Sequence, residues 1–169
     1  SEKGARTDVS NPDLKELTGK DVKDGTYDIE VESDSAMFKI IKAKLTVKDG
    51  KMSAVLTLSG KGYLRLFMGT GEEAVKADKS KYAEFKIVDG KYTYEVSVDK
   101  LNTPVECTSF SKRKQKWYDH QIVFLADTLP EGAVKKNHTV VIVCVAAAVV
   151  LGLGAIFAIR RARKKKSAK

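Results

Sequence analysis

From Asp24 onward, apolar and polar residues alternate at a period of two, in short runs divided by turn signals. Tyr27, Ile29 and Val31 alternate with Asp28, Glu30 and Glu32, the pattern of a strand with one buried face. Ile41, Ala43, Leu45 and Val47 repeat it, and Asp49-Gly50 predicts a tight hairpin into Met52, Ala54, Leu56 and Leu58. Gly60-Lys61-Gly62 turns the chain into a strand over Tyr63–Met68, and Gly69–Ala77 reads as a loop with a short helix. A second hairpin at Asp89-Gly90 joins Phe85–Val88 to Tyr92–Val98. Lys112–Lys116 joins the last pair, Val105–Ser111 and Trp117–Leu125. About eight strands in about 105 residues predict an all-β fold, an immunoglobulin-like antiparallel β-sandwich over 24–128. The Cys…Trp…Cys spacing of antibody domains is lacking.

The flanks break this pattern. Residues 1–23 are polar and read as a linker, with a short helix over Asn11–Leu17, where Asn can cap and Pro can occupy the first turn. Thr139–Ile159 is a run of 21 uncharged residues. At about 1.5 Å per residue it matches a hydrocarbon core of roughly 30 Å, which predicts a C-terminal transmembrane helix. Residues 129–138 then form a juxtamembrane tether, and 160–169 a tail rich in Arg and Lys. That tail predicts a cytoplasmic C-terminus and an extracellular domain in a single-pass cell-membrane protein.

Charge supports the division. The net charge of +9 comes entirely from Lys135, Lys136 and seven basic residues of the tail, while residues 1–133 are neutral overall. Such a distribution describes a membrane anchor, not a nucleic-acid surface. Cys107 falls in the domain and Cys144 in the apolar span, so they cannot pair. The lack of an initiator Met and of a leader gives the expectation of a processed or truncated form. Leu129-Pro130-Glu131-Gly132-Ala133 has the layout of a sorting signal, but Gly132 stands where Thr is needed, so it reads as a tether.

No catalytic constellation is visible: there is no phosphate loop, no His-x-x-x-His and no Cys-x-x-Cys, so a binding protein is expected and not an enzyme. Binding chemistry concentrates on the last strand, where Tyr118, His120, Ile122 and Phe124 share one face. On the residues alone, Ile122 and Phe124 are core, and Tyr118 and His120 are either polar residues at its edge or the floor of a site.

Asp24-Gly25-Thr26-Tyr27, Ser35-Ala36-Met37-Phe38, the Asp49-Gly50-Lys51 hairpin, Pro104-Val105 and Trp117–Phe124 follow one another in an order that resembles the NEAT (near-iron-transporter) domains of Gram-positive surface proteins. The resemblance covers about residues 24–128. It implies a sandwich that binds haem at one end, under a short helix near Ser35, with Tyr118 ligating the iron as the metal ligand. Ser35 matches a serine that hydrogen-bonds a propionate, and Met37 and Phe38 match apolar residues lying on the porphyrin. Phenolate is a hard ligand suited to ferric iron. His120 offers a second ligand or a hydrogen-bond partner, and Arg113 and its basic neighbours offer propionate partners.

The reading that follows is a membrane-anchored extracellular domain that captures haem for iron acquisition and passes it to a relay protein or permease. The alternative is a cell-surface interaction module that binds protein or saccharide through the same end loops.

Overall fold

The computed structural model describes residues 9, 11 and 14–136. The expected membrane helix over 139–159 and the tail over 160–169 lie outside the described residues. Among the described residues, no helix is long and apolar enough to cross a membrane.

The described residues form nine strands, with period-two burial clearest in the first three: β1 (Gly25–Ser33), β2 (Ile40–Lys48), β3 (Lys51–Leu58), β4 (Tyr63–Phe67), β5 (Ala83–Glu84), β6 (Lys86–Val88), β7 (Lys91–Val98), β8 (Val105–Ser111) and β9 (Trp117–Leu125). A short helix, α1 (Gly71–Lys76), lies between β4 and β5. All pairings are antiparallel, in the order β5-β4-β8-β9-β1-β2-β3-β7-β6.

The expected sandwich is one sheet folded over on itself. β1 serves both halves, pairing with β2 through Gly25–Ile29 and with β9 through Glu30–Ser33. On the far side the chain crosses from β5 to β6 at Phe85. Its N–H donates to the Leu64 carbonyl at 3.2 Å, and its ring stacks on Tyr92 at 4.2 Å. The Tyr94 hydroxyl donates to the Tyr63 carbonyl at 2.7 Å across the same gap. The sheet is therefore nearly closed and barrel-like, which leaves little free strand edge.

Inside it, Ile29, Leu45, Val47, Leu56, Leu58, Leu66, Val96, Val98, Ile122 and Phe124 form one core. Full burial of an aliphatic or aromatic side chain of this kind stabilises by roughly 1.5–3 kcal/mol. Ile41 departs from the predicted inward set and is 45% exposed. Ile40 pairs with Leu58 and Lys42 with Thr57, so Ile41 is the extra residue of a bulge that turns it outward.

The predicted linker changes character at Leu14. The expected Asn11–Leu17 helix is not formed over Leu14–Leu17, although Leu14 N–H donates to Asn11 C=O at 3.1 Å. Pro12 and Asp13 lie outside the described residues, and Leu17 is extended, exchanging backbone hydrogen bonds with Leu101 at 3.2 and 2.8 Å. Val22 is fully buried and bridges Val134; beside it Lys23 N–H donates to Ala133 C=O at 2.8 Å and Lys135 N–H to Asp21 C=O at 2.7 Å. Gly19 lies flat against the β2–β3 hairpin, where a Cβ would collide with the Gly50 carbonyl. Leu17 and Val22 are too sparse for periodicity to reveal, yet each closes the end of the sandwich. The tether contributes Leu129 and Ala133 to the same closure. The folded unit thus reaches from about Leu14 to Lys135, and Gly19–Lys23 and Lys135 lie beside the Asp49-Gly50 hairpin. The opposite end carries the β1–β2 connection and the β8–β9 hairpin.

Candidate functional site

The site residues predicted from sequence gather at this opposite end, where β1 finishes and β9 begins. A helix near Ser35 is not formed. Residues 35–38 make a single turn closed by Phe38 N–H to Ser35 C=O at 3.1 Å. Ser33 holds its entry, its Oγ accepting the Ser35 N–H at 3.2 Å. Asp34, buried, donates its N–H to the Gln121 carbonyl at 2.9 Å and so fastens the turn to β9.

This turn sends its two apolar residues in opposite directions. Met37 is 77% exposed, whereas Phe38 is fully buried. The Phe38 ring stacks on His120 with centroids 4.3 Å apart and planes 9° apart. The resemblance laid both residues on a porphyrin. Only Met37 is at the surface, because a turn this tight cannot present adjacent side chains on one side.

His120 is likewise interior. It is buried, its Nε2 lies 2.7 Å from the Ser109 hydroxyl, and Phe38 covers its face. It acts here as a core residue, and the expectation that it ligates iron has no open approach. Tyr118, one period earlier on β9, is half-buried and stands directly opposite Ser109. Lys116 places its Nζ 5.2 Å from the centre of the Tyr118 ring.

A residue that sequence reasoning missed joins these pieces. Tyr63, at the start of β4, packs edge-on against Phe38 at 5.6 Å and His120 at 6.2 Å. Its hydroxyl donates to the Met37 carbonyl at 3.2 Å. Burial is the main cause that raises its pKa; a hydrogen bond with Ser109 opposes this, and the nearby Tyr118 phenol adds to it. A neutral Tyr63 phenol is consistent with its role as a donor. Tyr63 and Tyr118 thus both border Ser109 and His120 at this end, Tyr63 through its ring contact with His120 and Tyr118 through its pairing with Ser109. Strand alternation marked Tyr63 only as a β residue; its nearness to Tyr118 arises from the pairing of β4 with β8 and of β8 with β9.

Around this mouth, the β8–β9 hairpin carries exposed Lys112, Arg113, Lys114 and Lys116. Ser111 organises it, its Oγ accepting the Lys114 N–H at 3.1 Å and its carbonyl the Gln115 N–H at 2.9 Å. Lys112 N–H donates to Gly62 C=O at 2.8 Å, which ties the hairpin to the β3–β4 loop. The outer face of β9 is braced separately. Asp119 Oδ1 accepts the Gly71 N–H at 2.7 Å, and Trp117 packs edge-on against Tyr82 and Phe110, at 5.2 Å each.

The geometry defines a nearly closed β-sandwich with a phenol pair, an exposed thioether and a cationic hairpin at one end. No family model and no curated protein matches the chain. Among solved structures it is similar to the NEAT5 domain of IsdX2, a B. anthracis hemophore in complex with heme, and to a point mutant of that domain, also with heme. Both are 22% identical and match with a TM-score of 0.44, over 60–61% of this chain and 96% of the other. A likeness of this size carries neither site residues nor ligand across.

Proposed function

We propose that this chain is a haem-capturing domain, a carrier and not a catalyst, held at the outer surface of a membrane by Thr139–Ile159. The observation that carries the reading is the Tyr63–Tyr118 pair, set between exposed Met37 and the basic hairpin. The donor set fits the cargo. A half-buried phenol offers a hard oxygen for ferric iron, a thioether offers apolar contact, and Arg113 with its lysine neighbours offers partners for two propionates. Ser35, half-buried in the turn, lies within the same end. Because Phe38 and His120 fill the interior behind the phenols, the ring would rest across the mouth and not in a deep slot. The membrane anchor, and delivery to a relay protein or permease, are supported by the uncharged 21-residue run and the basic tail that follows it.

Haem titration followed at the Soret band tests the reading. The parent should develop the band, and Tyr118→Ala should abolish it. Tyr63→Phe removes one hydroxyl and keeps the ring, and should weaken binding by roughly tenfold, as loss of a group supporting a ligand does. A parent that develops no band would refute haem capture and favour the interaction module acting through the same end.

A further inference from the structure

The opposite end of the domain carries a cleft of about 490 Å³ lined by Lys20, Lys23, Asp24, Asp49, Gly50 and Lys135. Its three lysines come from two separate stretches that the fold pins together. Lys20 sits in the 3-10 turn Gly19–Asp21, and Lys23 and Lys135 flank the Val22–Val134 bridge. The hydrogen bonds from Lys23 N–H to Ala133 and from Lys135 N–H to Asp21 fix the backbone under both ammonium groups. Lys48 and Lys51, paired across the hairpin, add two exposed cations beside it. The carboxylates are partly occupied: Asp24 Oδ1 accepts the Asp49 N–H at 3.1 Å, and Asp21 turns back to the Thr18 N–H at 2.8 Å.

We infer that this cleft and its flanking lysines seat the domain on anionic phospholipid headgroups. The inference rests on the anchored reading above and extends it. Covalent reach supplies the argument. Lys135 is four residues before Thr139, where the apolar run begins, and four extended residues span at most roughly 14 Å. Lys135 therefore stays within less than about two Debye lengths of the start of the apolar run at physiological salt. Within that distance, clustered lysines are attracted to an anionic leaflet, and each ammonium suits a phosphate as a point charge. Seating this end on the membrane turns the Tyr63–Tyr118 end outward.

The test uses the full chain reconstituted in vesicles, either of phosphatidylcholine alone or with phosphatidylglycerol added, and amine acylation read by mass spectrometry. Phosphatidylglycerol should slow acylation of Lys20, Lys23 and Lys135 about fivefold, and about 0.5 M salt should restore it. Lys91, exposed at the far end, should react equally in both vesicles. A Lys20→Gln, Lys23→Gln, Lys135→Gln variant should lose the protection of Lys48 and Lys51. Equal acylation in both vesicles, or equal protection of Lys91, would overturn the seat and leave the anchor standing. A chain that washes off under alkaline extraction would overturn the anchor, and the seat with it.

Discussion

Phe38 and Met37 are neighbours in sequence with opposite fates, and the difference should be measurable. Phe38→Ala removes a fully buried ring from the stack on His120 and should cost about 3–5 kcal/mol. Met37→Ala removes an exposed side chain and should change stability by less than about 0.5 kcal/mol. Denaturant unfolding of the two variants checks both. Any effect of Met37→Ala on haem binding then reports on the mouth alone.

Cys107 gives a pH signature. It is fully buried, and burial first, then the neighbouring Glu106 carboxylate, pushes its thiol up to about 12. A raised folded-state value means that the folded chain holds this proton where the unfolded chain has lost it. The stability it contributes is intact below the ordinary thiol range and falls as pH rises from there toward about 12. Unfolding midpoints measured across that window should fall with pH, and less steeply in Cys107→Ala. The native thiol should also resist alkylation at neutral pH.

Among elements, β9 is the one that every part of the site depends on. Its inner face supplies Tyr118 and His120, while its outer face is braced through Asp119 at the N-terminus of α1. Asp119→Ala removes that acceptor and should cost about 1 kcal/mol, comparable to loss of a helix cap. Thermal unfolding would show the loss, and an unchanged midpoint would mean the brace is idle.

The limits of β8 and β9 were legible because the polar, basic Lys112–Lys116 stretch divides two runs rich in β-branched and aromatic residues. The Asp-Gly hairpins were legible too, each with its aspartate at positive φ: Asp49 at 51° and Asp89 at 49°. The 35–38 turn was not, since four residues hold no period from which to read which side chain goes inward. Nor was Tyr63 as a neighbour of Tyr118, because strand order is set by long-range pairing that alternation does not encode. The double use of β1 was hidden for the same reason.

At the scale of the whole molecule, the chain ends are structural parts. Val22→Asp places a carboxylate in a fully buried apolar position and should cost several kcal/mol. Hydrogen exchange would then show early opening at Leu17–Lys23 and Ala133–Lys135, ahead of β2 and β3.

The pairing of Val22 with Val134 also decides how the domain would respond to tension between its two ends. The bonds from Lys23 to Ala133 and from Lys135 to Asp21 lie side by side on antiparallel segments, and the Leu17–Leu101 pair lies nearer the N-terminal exit. A pull on both exits would load these bonds in succession, as in opening a zipper, and not all together as in shear. With the Leu17–Leu101 bonds opened as well, the Leu14–Lys23 segment would be released, so a short extension would come before any load reached β1 and β9.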